Sequence, residues 1–278
     1  MTKLLLGADP EVFVRKKGAK RFFLSAHGMN EGTKEAPVKV KDGAVQVDGM
    51  ALEFNIDPAE TPKEFADKIF SVLGQLEEAL PEGLEIVATP VAHFSKKHLE
   101  AQPEEAKELG CNPDYNAWTG KQNPRPNGKN ITFRTGAGHI HFGWTNGANV
   151  EDPNHIKDCE ILVRALDNIL APACALFDPG VKRRILYGKA GAYRPKPYGC
   201  EYRVLSNAWL MNKELAEWVA IASTNIFKML CEGLFSKTVT QQMSRAKYIS
   251  KKELSDWEKM QVLEFLDFYN IPRPPIGI

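Results

Sequence analysis

Carboxylate, imidazole and guanidinium side chains recur at every second position in short stretches of this chain. The stretch TGAGHIHFGW, residues 135–144, places His139 and His141 two residues apart. In an extended strand, residues i and i+2 share a face, so both imidazoles would point the same way. The pattern predicts a half-buried strand over 131–144 with a polar face. One such pair alone is equally typical of the wet side of an edge strand.

The same alternation occurs in three other stretches, GADPEVFV, DGMALEFNI and YGCEYRVLSNAW. Each has an apolar face suited to packing under helices and an opposite face with paired polar groups. The pairs are Asp9 with Glu11, Glu53 with Asn55, and Glu201 with Arg203. Solvated strand faces usually carry Thr, Lys, Ser and Gln. Four strands that all present acids, histidine or arginine therefore favour a functional site over a surface.

If these strands share one sheet, several of the groups converge on one concavity. The converging residues would be Asp9, Glu11, Glu53, His139 and Glu201. Carboxylates packed so closely repel one another unless cations lie between them. Because the set contains no thiolate, it suits Mg²⁺ or Mn²⁺. Magnesium sites of this kind commonly complete their coordination with water and substrate phosphates, which indicates a nucleotide.

Basic residues are concentrated between residues 182 and 203, where Glu201 is the only acid. They are Lys182, Arg183, Arg184, Lys189, Arg194, Lys196 and Arg203. Arginine forks bind phosphate or carboxylate oxygens in pairs, so this excess is typical of an anion clamp. A solvated basic loop is the alternative, and it fits Lys196 better than Arg184 or Arg194. The glycine patterns of a P-loop and of a dinucleotide fingerprint are both missing.

Composition limits the function classes. The chain has 278 residues, 43% hydrophobic and 26% charged, with a formal net charge of +1. This balance is typical of a globular protein and argues against a nucleic-acid or anionic-membrane surface. Five cysteines without a C-x-x-C pair indicate neither a disulfide framework nor a zinc ribbon. With no signal peptide or membrane span predicted, we expect a cytoplasmic protein.

The periodicities predict a single domain over 1–278, with 210–278 as a C-terminal helical part. A capping box at Thr61 to Glu64 predicts the start of the first long helix. We expect a strand or a strand pair over 44–56, interrupted at Asp48-Gly49. The other expected elements are a hairpin over 3–15 and 20–26, a strand over 84–91, a long loop over 111–130, a helix over 152–177, a strand over 198–206, and helices over 212–233 and 250–269.

Four motifs in this order carry a family resemblance. They are G-x-D-x-E, D-G-x-x-x-E, G-x-G-H-I-H-F-G-W and Y-G-x-E-Y-R-x-L-S-N-x-W, which span residues 7–209. Together they resemble the glutamine synthetase and glutamate-cysteine ligase superfamily, and more closely its carboxylate-amine ligases from bacteriophages, the type 2 amidoligases. The resemblance implies an α+β fold, in which a curved antiparallel sheet carries helices on its convex face. Its concave side would bind ATP and two or three divalent ions.

The resemblance also implies residue roles. Asp9, with His139 and Glu201, would hold the metal nearest the nucleotide phosphates, while Glu11 and the catalytic Glu53 would hold a metal on the substrate side. His141 would lie beside the ATP phosphates. The γ-phosphate and the substrate carboxylate would be held by Arg184, Arg194 and Arg203. Two features depart from the family pattern: Asp9 stands where glutamate is common, and the third acid of the second metal has two candidates, Asp48 and Asp57.

The function expected from this resemblance is an ATP- and Mg²⁺-dependent ligase. It would join a small-molecule or peptide carboxylate to an amine through an acyl phosphate, and it would release ADP. A guanidino- or carboxylate-phosphotransferase on the same fold is the nearest alternative, and a non-catalytic ligand-binding relative is another. The resemblance places the protein in the host-cell cytoplasm if a phage encodes it. The sequence leaves the two substrates and the oligomeric state open.

Overall fold

The computed structural model describes residues 3–107, 114–124 and 131–277. These ranges form thirteen short strands and eight α-helices. The strands are β1 (Leu5–Ala8), β2 (Glu11–Lys16), β3 (Val38–Val40), β4 (Gly43–Asp48), β5 (Ala51–Ile56), β6 (Leu84–Val87), β7 (Val91–His93), β8 (Tyr115–Asn116), β9 (Lys121–Gln122), β10 (Phe133–Thr135), β11 (Ile140–Gly143), β12 (Ala192–Lys196) and β13 (Gly199–Tyr202). The helices are α1 (Pro62–Glu78), α2 (Lys96–Glu100), α3 (Glu104–Lys107), α4 (Pro153–Cys174), α5 (Val181–Leu186), α6 (Lys213–Cys231), α7 (Lys237–Gln241) and α8 (Asp256–Phe268).

Within the described ranges, the strands form three antiparallel sheets. Six strands pair in the order β1-β11-β13-β12-β8-β9, five in the order β3-β4-β5-β2-β6, and β10 pairs with β7. The predicted α+β class, antiparallel sheets with helices, is confirmed. The strands that carry the candidate site residues are divided between the six-stranded and five-stranded sheets instead of sharing one sheet. The expected curvature stays a prediction.

The division occurs at Asp9-Pro10, inside the stretch that we expected to be one strand. β1 pairs with β11 and β2 pairs with β5. Proline has no N–H to donate to a ladder, so the two strands separate at this residue. The predicted strand 131–144 divides likewise into β10 and β11. Gly138 lies between them, where a Cβ atom would come within 2.2 Å of the Ser206 carbonyl oxygen.

The predicted strand pair over 44–56 is confirmed as the β4–β5 hairpin. Gly49 forms its turn at φ 59°, a left-handed conformation that glycine adopts without strain. The expected hairpin between 3–15 and 20–26 is wrong, because only Leu24 bridges to Val14. β2 pairs instead with β6, where Arg15 donates to a carboxylate oxygen of Glu85 at 2.6 Å.

The helices cover the sheets through apolar faces. The predicted capping residue Thr61 accepts a hydrogen bond from the Glu64 N–H, and α1 packs on β4, β5 and α6. α4 packs on β12 and β13. One hydrophobic cluster includes buried residues from Leu6 to Ile271, so the C-terminal helices share the core of the sheets. None of the helices in the described ranges is long and apolar enough to cross a bilayer.

Candidate metal centre

Among the described residues, two groups of possible metal ligands lie where the six-stranded and five-stranded sheets meet. In each group, one ligand atom per residue lies within 4.8 Å of the others. We name them the Asp9 cluster (Asp9, His141, Glu201) and the Glu11 cluster (Glu11, Asp48, Glu53). They are joined through the chain at Asp9-Pro10-Glu11, so the break between the two sheets also separates the two clusters. The structure thus brings together the carboxylates that the alternation pattern singled out.

Both predicted histidines point at the same carboxylate. His139 Nδ1 and His141 Nε2 each lie 3.1 Å from Asp9 Oδ1. Burial alone would raise the pKa of Asp9, but the two imidazoles hold it well below its usual value. Burial would lower the pKa of His141, but the charge of Asp9, its contact with the ring and the charge of Glu201 together outweigh burial and raise the pKa. Asp9 is therefore ionised, and in the absence of a metal it favours a protonated His141.

His139 is enclosed by two guanidinium groups. Arg183 Nη2 lies 3.4 Å from its Nε2, and Arg203 Nη1 lies 3.3 Å from its Nδ1. Burial and the charge of Arg203 lower the pKa of His139 to about 4, so the ring is neutral near pH 7. With Nδ1–H donating to Asp9 and Nε2 accepting from Arg183, the ring has no lone pair left for a metal.

His141 has the more suitable nitrogen. Its Nδ1 contacts the Tyr198 hydroxyl, and its buried Nε2, 3.1 Å from Asp9 Oδ1, has no well-aligned hydrogen bond among the described residues. When Nδ1–H donates to the tyrosine oxygen, Nε2 presents its lone pair to the cluster. The geometry therefore favours the reverse of the predicted roles, with His141 as the ligand and His139 as a bridge between Asp9 and the arginines.

Glu201 is buried among cations. Arg203 Nη1 contacts its Oε1, and Lys196 Nζ lies 2.8 Å from its Oε2. Arg194 Nη1 lies 3.9 Å from Glu201 Oε1. Burial, the largest single influence, and the charge of Asp9 oppose ionisation of Glu201, but the charges of Arg203, His141 and His139 together outweigh them and lower its pKa to about 2. The protein therefore supplies the compensating charge for this carboxylate.

Asp114 is a site residue that the strand pattern did not single out. Its Oδ1 lies 2.5 Å from Arg203 Nε and 3.7 Å from Arg194 Nη2. It precedes β8, at one end of the predicted loop 111–130, of which residues 111–113 and 125–130 lie outside the described ranges. No alternation marks a loop residue, so no sequence signal distinguished Asp114 from its neighbours.

The Glu11 cluster has little compensation from the protein. Glu11 and Glu53 face each other directly across β2 and β5. Burial and the nearby charge of Asp48 raise the pKa of Glu11 to about 7. Burial and the charges of Asp9 and Glu11 raise the pKa of Glu53 well above its usual value. Like charges opposite one another destabilise a strand pair, so this cluster would be stabilised by a bound cation.

Asp48 is the third acid of this cluster. It was one of two candidates from the sequence, and its Oδ2 lies 2.8 Å from Lys34 Nζ. The other candidate, Asp57, is exposed just beyond the end of β5 and does not belong to the cluster.

The structure does not bring Arg184 to the site, contrary to the prediction. Its guanidinium donates to the carbonyl oxygens of Asp178, Ile249 and Lys251 at 2.7, 2.8 and 3.2 Å. Arg183 takes the site position and is 1% exposed. Consecutive helical residues point about 100° apart, so only one of the two can face the site. The pattern could not decide which one, because α5 is too short to show a periodicity.

Two cavities adjoin the clusters. The first, which we name the arginine cavity, is lined by Glu11, Asp48, Asp114, Arg134, Arg183 and Arg203, among others. The second, the aromatic cavity, has a volume of about 640 Å³ and is lined by Lys3, Asp9, Glu53, His141, Trp144 and Tyr198, among others. Glu11 and Asp48 line the arginine cavity, whereas Asp9, His141 and Glu53 line the aromatic cavity. Two different ligands could therefore reach the carboxylates from separate cavities.

Carboxylates, an imidazole and guanidinium groups thus meet between the antiparallel sheets of an α+β fold, and the two clusters are candidate ligands for a divalent metal. Residues 125–267 match the family described as phage phiEco32-like COOH.NH2 ligase, type 2, and the chain belongs to this family. It is thus a member of a carboxylate-amine ligase family, and the resemblance drawn from the motifs is confirmed. No curated protein matches the chain.

Several solved structures are distantly similar. A novel glutamine synthase homolog is 13% identical, with 95% of this chain and 68% of that chain covered and a TM-score of 0.42. A bifunctional glutathione synthetase from Pasteurella multocida is 10% identical, with 98% of this chain and 45% of that chain covered and a TM-score of 0.46. This chain therefore spans less than half of that synthetase. A GmaS/ADP complex is 12% identical, with 94% of this chain and 74% of that chain covered and a TM-score of 0.39. These scores are too low to carry a functional argument.

Proposed function

We propose that the protein is an ATP- and divalent-metal-dependent carboxylate-amine ligase that forms an amide through an acyl phosphate and releases ADP. The observation that carries this proposal is the pairing of two acid clusters with two cavities, one with aromatic rings and one with arginines. Two substrates must meet at a shared, charge-compensated centre in such a reaction. The family membership supports the ligase class.

The residues present fit Mg²⁺ or Mn²⁺. The donor set is five carboxylates and one imidazole without a thiolate, which are ligands for hard divalent ions. The Nε2 of His141, which faces Asp9 without a well-aligned hydrogen bond, and the raised pKa values of Glu11 and Glu53 both fit a bound cation. Asp9, His141 and Glu201 would hold one ion, and Glu11, Asp48 and Glu53 a second. Bound ions would neutralise charge on the phosphate oxygens of the nucleotide.

The aromatic cavity fits the nucleotide. Its volume, about 640 Å³, lies in the range of small-molecule sites. The Trp144 and Tyr198 rings offer surfaces on which a base could stack, and Asp9 and His141 line the same cavity. A nucleotide seated there would direct its phosphates toward the Asp9 cluster. Glu53 lines this cavity and also belongs to the Glu11 cluster, so it connects the two halves of the centre.

The arginine cavity fits the acid substrate and the transferring phosphoryl group. Arg183 and Arg203 flank His139 and would hold the anionic oxygens in position. A carboxylate oxygen attacks the γ-phosphorus, the bond to the β-phosphate oxygen breaks, and ADP leaves. The neutral amine then attacks the acyl carbon, inorganic phosphate leaves, and the nitrogen loses a proton. Arg194, near Glu201 and Asp114, would support Arg203 instead of contacting the phosphoryl group.

Calorimetric titration of a non-hydrolysable ATP analogue, with and without Mn²⁺, tests this proposal. We expect binding that requires the metal and is weakened at least tenfold in Glu53→Gln. Glu77→Gln, which removes an exposed carboxylate of α1, is the matched control and should bind as the wild type does. Binding that ignores both the metal and Glu53, or no binding by the wild type, would refute the nucleotide site.

Product analysis separates the ligase from the phosphotransferase alternative. With ATP, Mg²⁺ and hydroxylamine as a general amine, an acyl phosphate gives a hydroxamate of the acid. ADP release without hydroxamate, together with a stable phosphorylated product, would favour a phosphotransferase.

A further inference from the structure

Arg134 is a buried cation without an anionic partner among the described residues. It is 8% exposed and lies on β10. Its guanidinium donates to the main-chain oxygens of Ile131, Phe133 and Lys107 at 3.1, 2.9 and 2.9 Å. Its Nε is buried and has no hydrogen-bond partner in the part of the chain that the structure describes. Among the described residues, Tyr187 is the ionisable neighbour whose charge opposes the effect of burial, which lowers the pKa of Arg134.

This situation differs from that of the other buried arginines. Arg184 also donates to three carbonyl oxygens, but the Asp178 carboxylate lies 3.3 Å away. Arg203 has Asp114 and Glu201. Arg183 faces the negative charge of Glu11. Carbonyl dipoles only partly replace water around a guanidinium, so a buried one without an anion is costly to the folded state.

Arg134 also faces a cavity where an anion could reach it. It lines the arginine cavity together with Thr135, Tyr187, Phe13 and Met50. Two carboxylates of the Glu11 cluster, Glu11 and Asp48, line the same cavity. The cavity has a volume of about 70 Å³, so it would admit only a small ligand, with one polar end at Glu11 and Asp48, a short apolar stem beside Phe13 and Met50, and a second polar end at Arg134.

We propose that Arg134 binds a second, non-reacting carboxylate, carried by one of the two substrates. The assignment of the ligand as a substrate rests on the proposed function, whereas the anion site itself does not. Arg134 would then determine specificity without touching the reacting atoms. A substrate that lacks the second carboxylate would leave the guanidinium buried and unpaired, and this difference would select between substrates.

Acetate is a probe for this site that needs neither nucleotide nor metal. We would follow the thermal unfolding of the metal-free protein in acetate, at an ionic strength held constant with chloride, which cannot match the guanidinium fork. Acetate should raise the unfolding temperature of the wild type in a saturable way. Arg134→Gln should weaken the apparent affinity at least tenfold. An equal response in Arg134→Gln, or none in the wild type, would overturn the proposal.

Two further variants guard against a folding artefact. Arg134→Lys keeps the charge but loses the fork, so we expect acetate binding weaker than in the wild type and stronger than in Arg134→Gln. Arg21→Gln removes an exposed arginine and should respond as the wild type does. Nucleotide-analogue binding is measured in parallel. If Arg134→Gln binds the analogue normally while acetate binding is lost, the two sites are separate, and failure of either proposal is visible without the other.

Chain-matched acids identify which substrate carries the second carboxylate. The hydroxamate assay would compare glutarate with butyrate, because hydroxylamine carries no carboxylate. A preference for glutarate that Arg134→Gln abolishes places the group on the acid. If the wild type uses both acids equally and still binds acetate, the second carboxylate belongs to the amine substrate. Glycine should then compete with acetate for the site at Arg134.

Discussion

The Asp9 and Glu11 clusters lie side by side and have similar compositions, yet they stabilise charge in opposite ways. The carboxylates of the Asp9 cluster have lowered pKa values, because imidazole and guanidinium groups of the chain surround them. The glutamates of the Glu11 cluster have raised pKa values, because burial and neighbouring acids oppose their ionisation. Side chains of the folded protein compensate the negative charge of the Asp9 cluster, whereas the negative charge of the Glu11 cluster requires a bound cation.

This difference separates two tasks that a ligase site must perform. A cluster neutralised by the protein keeps its geometry whether or not a ligand is present. A cluster with excess negative charge binds a cation more strongly and loses stability without it. We therefore expect metal ions to influence folding mainly through the Glu11 cluster.

The largest expected effect is the loss of Glu201. The pKa of its carboxyl, about 2, lies below the value of an unfolded glutamate, so the charge contributes stability above about pH 4.5 that is lost as the pH falls toward 2. Glu201→Gln leaves Arg203 and Lys196 without their shared anion and should cost about 3 kcal/mol at pH 8. Urea unfolding of the metal-free protein measures this. An unchanged free energy of unfolding would show that the cations do not depend on Glu201.

Neutralising Glu11 should have the opposite sign. Its raised pKa, about 7, means that the folded state holds a proton that the unfolded state releases between about pH 4.5 and 7. The metal-free wild type should therefore lose stability as the pH rises through this window. Glu11→Gln should remove that loss and be more stable at pH 8, by on the order of 2 kcal/mol.

Two further measurements on the wild type and Glu11→Gln serve as controls. At pH 4 both should unfold alike, and millimolar Mg²⁺ at pH 8 should stabilise the wild type more than the variant. The Gln side chain can still accept the Ala137 N–H, now 2.9 Å from Glu11 Oε2, so backbone pairing is retained. A destabilised variant at pH 8 would mean that the cluster is already compensated.

A smaller effect is expected for Tyr198, whose hydroxyl contacts His141 Nδ1. Tyr198→Phe removes the group that orients the ring, so Mn²⁺ should bind the Asp9 cluster about tenfold more weakly. Electron paramagnetic resonance measures free Mn²⁺, and the nitrogen coupling of the bound ion reports the imidazole directly. Tyr269→Phe, at the end of α8, is the control. Unchanged coupling and affinity in Tyr198→Phe would contradict a role for this hydroxyl.

The smallest effect is expected for Lys34, which pairs with Asp48 at 2.8 Å. Its side chain is 42% exposed, so solvent and salt screen the pair. Lys34→Ala should destabilise the metal-free protein by about 0.5 kcal/mol at low salt, and high salt should reduce the difference. A loss as large as that for Glu201 would show that the Glu11 cluster has a strong internal counter-charge after all.

Alternation identified most of the site because a strand forces every second residue onto one face. Asp9, Glu11, Glu53, Glu201 and Arg203 were found in this way and lie together in the structure. The method fails where no strand imposes a period. Asp114 lies just before a strand, and the choice between Arg183 and Arg184 depends on how a single helical turn is oriented.

The fold was predictable where local signals are strong. The hairpin turn at Asp48-Gly49 and the cap at Thr61 are encoded within a few residues. The division into two large sheets was not predictable, because it depends on which distant strand each segment pairs with. Leu24 shows this, since its segment has strand-like residues but makes only one bridge.

The two clusters also differ in how far apart their residues lie along the chain, and this has a consequence for biosynthesis and folding. The β4–β5 hairpin places Asp48 and Glu53 through contacts between near neighbours, and β2 joins them from about forty residues upstream. The Asp9 cluster needs β1, β11 and β13, so a growing chain cannot complete it until residue 203 has left the ribosome. A nascent chain therefore has the uncompensated half of its centre before it has the compensated one.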